Sequence, residues 1–121
     1  MIGYVTIGTN DFERAQKFYD ALVAEMGGKR AFGNERMQGY RAGQGGMLAI
    51  CKPYDGKAAT TGNGTMIALA AESREQVDKV HAKAMSLGAA DEGAPGIRTG
   101  TFYGAYFRDP DGNKLCIFKS G

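Results

Sequence analysis

The sequence contains no tryptophan, one histidine, two cysteines and three prolines among 121 residues. Cys51 and Cys116 are too few for a disulfide framework or a metal ribbon, so the fold must rest on an ordinary buried core. The single histidine, His81, leaves almost no imidazole for a metal cage or a catalytic base. No run of about 18 apolar residues occurs, which excludes a membrane-spanning helix. No block of one charge sign occurs either: 15 Lys and Arg against 13 Asp and Glu give a net charge of +2, and with a pI near 8.6 this is too weak and dispersed for a nucleic-acid surface. Met1–Val5 shows neither a basic n-region nor an apolar h-region, so no secretory signal is read there. What is present, 43% hydrophobic and 23% charged residues, suits one soluble domain. The expectation is a reduced, cytoplasmic protein with no membrane and no nucleic-acid partner.

Glycine runs the other way, at 19 residues. The glycines cluster with all three prolines in gaps such as Gly27-Gly28, Gly43–Gly46, Gly62–Gly64, Gly93–Gly100 and Gly112, as expected for short elements joined by tight turns. Between the gaps lie two segments of helical period. Ala15, Phe18, Tyr19, Leu22 and Met26 form one stripe, opened by the pair Asn10 and Glu13 and stopped by Gly27-Gly28. Val77, Val80, His81 and Ala84 form the other, opened by the capping box Ser73-Arg74-Glu75-Gln76 and closed at Gly88. Each helix follows an alternating, β-rich stretch.

The chain repeats itself. An offset of 62 aligns Val5 with Ile67, Ile7 with Leu69, Ala15 with Val77 and Tyr19 with His81. Further along an offset of 67 aligns Tyr40-Arg41 with Phe107-Arg108 and Leu48-Ala49-Ile50 with Leu115-Cys116-Ile117. The difference is one loop's change in length. Two copies of strand, helix and three strands result, with modules 1–56 and 62–121 in a single domain, 1–121. The expected elements are β1 (2–8), α1 (11–26), β2 (29–33), β3 (36–42), β4 (47–52), β5 (64–71), α2 (74–87), a weak β6 near 89–92, β7 (102–108) and β8 (113–118). Asp109-Pro110-Asp111-Gly112 predicts a tight hairpin between β7 and β8, with Gly43–Gly46 as its copy. No helix follows these glycine-rich turns, so they are hairpins and not phosphate loops.

With its paired βαβββ modules, the opening Val5-Thr6-Ile7-Gly8…Ala15…Phe18-Tyr19 and the ending Tyr106-Phe107-Arg108-Asp109-Pro110-Asp111-Gly112-Asn113-Lys114-Leu115, the chain resembles the vicinal oxygen chelate superfamily. That group includes glyoxalase I, bleomycin resistance proteins and extradiol dioxygenases. The resemblance spans all 121 residues. It implies an α+β fold of two tandem modules forming a curved, partly open mixed sheet around a cavity, with helices on the convex side, and it implies a homodimer. It also implies a divalent metal held from the middle of β1, β4, β5 and β8. The matching residues here are Tyr4, Ala49, Met66 and Cys116. Strand alternation sets Tyr4 and Thr6 opposite Val5 and Ile7, and Cys116 and Phe118 opposite Leu115 and Ile117.

Those four residues make a poor donor set. Alanine has no ligand atom, a thioether prefers soft copper(I), and a phenol would have to ionise from a pKa near about 10. One thiolate cannot complete a cage. His81 lies on the core-facing stripe and is expected to be structural. The expected cavity lining is Tyr4, Thr6, Met66, Tyr106, Cys116 and Phe118, with Arg41 and Arg108 at the rims as anion partners or as strand-end salt bridges with Asp109 or Asp111. Cys116 reads first as a small buried hydrophobe. Lys52, Tyr54 and Lys57 lie on the connection between the modules, where loops at a cavity mouth can touch ligand. The function expected is a metal-independent binder of a small aromatic or amphipathic molecule, without cofactor. The alternatives are a metal-dependent glyoxalase-like lyase or dioxygenase, and a structural or regulatory dimer with a vestigial cavity.

Overall fold

Both helices form where the apolar period places them in the computed structural model, which describes residues 1–121. α1 spans Phe12–Ala24 and α2 spans Arg74–Ser86. Asp11, not Asn10, caps α1: its carboxylate accepts from the Arg14 backbone N–H at 3.1 Å. Ser73 caps α2 by accepting from the Gln76 N–H at 3.1 Å. Gln76 closes the second arm of that box on the Glu72 N–H, one residue earlier than the usual pattern, at 2.8 Å. Gly27 (φ +72°) and Gly88 (φ +93°) take the left-handed conformation that ends each helix.

Eight strands accompany them: β1 (Tyr4–Gly8), β2 (Lys29–Gly33), β3 (Met37–Arg41), β4 (Met47–Cys51), β5 (Ile67–Ala70), β6 (Ala90–Thr99), β7 (Phe102–Arg108) and β8 (Lys114–Lys119). They form two four-stranded mixed sheets, ordered β1-β4-β3-β2 and β5-β8-β7-β6. The architecture is α+β with open sheets, as expected. The chain divides into two compact units, Met1–Thr61 and Gly62–Gly121.

Within each unit the first strand pairs parallel with the fourth, and the other pairings are antiparallel. The two ladders share one register. Thr6 opposes Ala49 and Gly39 opposes Ala49 in the first; Ala68 opposes Cys116 and Tyr106 opposes Cys116 in the second. The pairs Val5–Leu48 to Gly8–Cys51 and Met37–Cys51 to Tyr40–Leu48 are carried onto the second ladder by the offsets 62 and 67 read from the sequence. The Asp109 turn is also built as expected. Asp109 accepts from the Asp111 and Asn113 N–H groups at 2.9 Å, Gly112 donates to the Asp109 carbonyl at 2.8 Å, and Gly112 has φ +92°.

The largest departure is β6, expected as a short strand near 89–92 and found as ten residues, Ala90–Thr99. Its Asp, Glu, Gly and Pro content hides it from propensity. It survives as a sheet-edge strand with three register irregularities against β7, where a proline and an unpaired donor are tolerated. β1 and β5 start later than expected, at Tyr4 and Ile67.

One face of each sheet is covered by its helix. Tyr40 lies with its ring centroid 6.2 Å from that of Tyr19 on α1 and donates to Asp20 at 2.9 Å. This fixes Gln38, Tyr40, Leu48, Ile50 and Ile7 as the helix-facing set. In the second unit Tyr103 donates to Asp78 of α2 at 2.6 Å and Phe107 meets His81 edge-on at 6.5 Å. That sets Tyr103, Ala105, Phe107, Leu115 and Ile117 toward α2. Fully buried Phe107, Leu115, Ile117, Val77 and Val80 each contribute roughly 1.5–3 kcal/mol of apolar burial, less for valine. His81 is buried and bonds the Asp91 carboxylate at 3.1 Å, so it serves the α2–β6 packing, as its place on the stripe implied.

Candidate functional site

The opposite sheet face of the first unit carries Tyr4, Thr6 and Gly8 of β1, Met37, Gly39 and Arg41 of β3, and Met47, Ala49 and Cys51 of β4. At its Gly8–Cys51 end this face holds a cleft of about 470 Å³, lined by Thr6, Gly8, Arg36, Met37, Cys51, Pro53, Tyr54, Asp55, Ala58, Ala59 and Thr60. That volume lies within the range of small-molecule pockets.

The cleft exists because the chain after β4 turns back over the sheet end. Pro53–Gly56 forms a turn closed by the Gly56 N–H on the Pro53 carbonyl at 3.0 Å, with Gly56 at φ +75°. Asn10, bypassed as the helix cap, fastens the returning segment. Its amide donates to the Ala59 carbonyl at 3.2 Å and accepts from the Ala59 N–H at 2.7 Å. The approach is so close that a Cβ at Gly8 would lie 2.8 Å from the Cβ of Ala59. Glycine is required there by space, not by backbone conformation.

Arg36 stands at the mouth. Asn34 accepts from the Arg36 and Met37 N–H groups, both at 2.9 Å, which fixes the backbone at the start of β3. The guanidinium Nη1 donates to the Lys52 carbonyl at 2.8 Å and its carbon lies 5.4 Å from the centroid of the exposed Tyr54 ring. No carboxylate contacts this guanidinium. Asp55, in the same cleft, accepts from the Lys57 N–H at 2.9 Å.

The second unit uses the same positions differently. By the repeat, Gly8 and Cys51 correspond to Ala70 and Phe118, which face each other across β5 and β8. Phe102 stacks on Phe118 with centroids 5.1 Å apart and planes 8° from parallel. A phenyl ring, with a second stacked on it, stands where the first unit keeps a thiol, and an alanine stands where it keeps Gly8.

Of the side chains singled out in the sequence, Thr6 and, on the connection after β4, Tyr54 line the cleft, while Lys52 and Lys57 do not. Tyr4 shares the sheet face of Thr6 but is 61% exposed, and Met66 is 42% exposed. Arg41 lies on the same face at the exposed end of β3. Tyr106, Cys116 and Phe118 share one face of the second sheet. Cys116 is fully buried, and burial pushes its thiol up; burial likewise raises the Tyr106 phenol. Neither ionises near neutral pH, so neither is a ready nucleophile or base. Arg98 and Lys114 lie over the Tyr106 ring at 5.3 and 5.7 Å. Arg108 is committed to structure: Nε donates to Glu92 at 2.9 Å and Nη1 to the Gly112 carbonyl at 3.0 Å. Its salt-bridge partner is thus Glu92 on β6 instead of Asp109 or Asp111, because Asp109 is occupied by the turn.

A divalent metal finds no fit. The four strand positions present phenol and methyl in the first unit, thioether and thiol in the second, and no three His, Cys, Asp or Glu side chains converge. A borderline or hard cation needs such a set. The residues that sequence reasoning passed over are Arg36, Cys51, Asp55 and Ala58–Thr60. The available signal was the turn Pro53-Tyr54-Asp55-Gly56 directly after a strand, together with a strand-ending Gly8 where the repeat has Ala70.

Comparison with known proteins bears on all of this. Residues 1–117 match the profile of the Glyoxalase/Bleomycin resistance protein/Dioxygenase superfamily. Among solved structures, a glyoxalase/bleomycin resistance protein from Albidiferax ferrireducens T118 is 40% identical, with a TM-score of 0.93 over 100% of this chain and 99% of that one. A hypothetical protein from S. aureus is 25% identical, with a TM-score of 0.76 over 98% and 92%. A glyoxalase/bleomycin resistance protein/dioxygenase family enzyme from Burkholderia phytofirmans PsJN is 21% identical, with a TM-score of 0.79 over 98% of both chains, a likeness of fold alone. No curated protein matches. No helix is long and apolar enough to cross a membrane.

Proposed function

The chain belongs to the glyoxalase/bleomycin resistance protein/dioxygenase superfamily, and from that premise we propose that it is a metal-independent protein that binds a small organic molecule in the cleft of its first unit. The observation that carries this reading is the divergence of the two repeats at one pair of positions. Gly8 and Cys51 leave room beneath the 53–61 segment, whereas the second unit sets Ala70 and Phe118, stacked on Phe102, at the matching positions. A recess that sets Met37, Cys51 and Pro53 beside the polar groups of Thr6, Arg36, Asp55 and Thr60 suits an amphipathic ligand, an aromatic one included. The unfit donor set supports a binding role in which no metal takes part.

Homodimerisation belongs to the same proposal, supported by the terminal strands that each open sheet leaves with one free edge. The test combines metal analysis with ligand titration. Protein purified with zinc, nickel, manganese and iron should carry no stoichiometric ion, and Cys51→Phe should abolish small-molecule binding seen with the native chain. One tightly held ion per chain, or unchanged binding in Cys51→Phe, would overturn the reading.

A further inference from the structure

The cleft holds one guanidinium with nothing anionic against it, and its chemistry narrows the ligand. Each of three other arginines is spent elsewhere: Arg30 on Asp20 at 2.9 Å, Arg108 on Glu92, and Arg98 on the Ala94 carbonyl. Arg36 is held from two sides, by the Lys52 carbonyl on one nitrogen and by the Tyr54 ring against its plane. A guanidinium has five N–H donors, and this contact uses one. The remaining fork is pre-positioned at the cleft mouth, so little side-chain entropy is lost when a planar anion docks on it.

Asp55 lines the same cleft and keeps acceptor capacity beyond its bond to the Lys57 N–H. A ligand that was only an anion would be repelled by it; a ligand with a donor group at its far end would be held. Thr6 and Thr60 add hydroxyls that can donate or accept. Tyr54 and Pro53 line the same cleft and supply flat surface there, favouring an aromatic body.

We propose, resting on the cleft being the binding site, that its ligand is a small aromatic carboxylate carrying a hydroxyl or amino donor, with the carboxylate on Arg36 and the donor toward Asp55. The carboxylate on Arg36 is the discriminating contact. Hydrogen bonds between charged partners imply a loss of roughly tenfold to a hundredfold in affinity when either side is neutralised.

The experiment titrates 4-hydroxybenzoate, 4-aminobenzoate and indole-3-acetate, each beside its amide, into full-length protein followed by backbone amide NMR. At least one acid should shift the Thr6, Met37 and Cys51 resonances and bind at least tenfold tighter than its amide. Arg36→Gln should remove that preference, with Arg36→Lys restoring part of it, and Asp55→Asn should weaken 4-hydroxybenzoate and 4-aminobenzoate more than benzoate, titrated beside them as the acid without a donor. Amides binding as tightly as acids at those resonances would overturn the carboxylate assignment and leave the cleft standing. Binding by neither series at those resonances would overturn both.

Discussion

Replacing Gly8 by alanine asks how closely the 53–61 segment is held to the sheet. The new Cβ would sit 2.8 Å from the Cβ of Ala59, 3.7 Å from its Cα and 3.9 Å from Cγ of Pro53. Carbon atoms in contact rest at about 3.5–4.0 Å, so one side must yield by about 1 Å. Overpacking of this kind costs roughly 1–3 kcal/mol. Gly→Ala in a strand returns roughly 0.5–1 kcal/mol through the unfolded chain, which leaves a net loss of about 0.5–2 kcal/mol. Ala59 cannot move away freely, because Asn10 grips it at 2.7 and 3.2 Å. In an Asn10→Ala background that grip is gone and the added methyl should cost less. A double-mutant cycle in urea should therefore give a coupling of about 0.5 kcal/mol or more, with the double variant more stable than the single effects predict when summed. Gly8→Ala alone should lower Tm by a few degrees, at about 4 °C per kcal/mol for a chain of this size. A neutral or stabilising Gly8→Ala, or strict additivity, would refute the close approach of Ala59 and with it the wall of the cleft.

Three further outcomes are expected. Arg30 bonded to Asp20, with help from the Tyr40 hydroxyl, holds the Asp20 carboxyl below its usual range, so its contribution to stability is present above the unfolded carboxylate pKa of about 4 and is lost as pH falls through the depressed folded value. The stability gap between native chain and Asp20→Asn should accordingly narrow in urea melts taken downward from pH 6, and a pH-independent gap would contradict the ion pair. Cys116, fully buried and with its thiol raised by burial, should resist iodoacetamide at pH 8 until denaturant is added; peptide mass spectrometry showing its alkylation in the folded state would contradict the packing. Arg108→Ala should cost about 0.2–1 kcal/mol, since its bond to Glu92 lies near the surface, and should leave binding of any cleft ligand unchanged, which calorimetry would check.

The frame of the protein was legible because it rests on local, periodic signals. Ala15, Phe18, Tyr19 and Leu22 announce α1, and the shared spacing of Val5, Ile7, Leu48 and Ile50 with Ile67, Leu69, Leu115 and Ile117 gives both ladders their register. The cleft was mostly illegible for the opposite reason. Its wall depends on Asn10 meeting Ala59 across 49 positions, a contact with no period and no motif. Asn10 also carried a competing local meaning, as a helix cap, which its neighbour Asp11 fulfils. The strand-end salt bridge weighed for Arg108 is present, but with Glu92 on β6, a strand whose acidic, glycine-rich sequence conceals it. The sheet faces follow strand alternation, which set Thr6 opposite Val5 and Ile7 and so on the side away from α1.

The two ladders share one register while Phe118, stacked on Phe102, stands in the second where Cys51 stands in the first, so one scaffold displays the same strand end in a crowded and an open form. Phe118→Cys with Ala70→Gly and a trimmed Phe102 would bare the matching sheet end in the second unit, yet a recess also needs a roof such as Pro53–Thr60, tethered by Asn10, so emptying a strand end and enclosing it are separable steps in making a site.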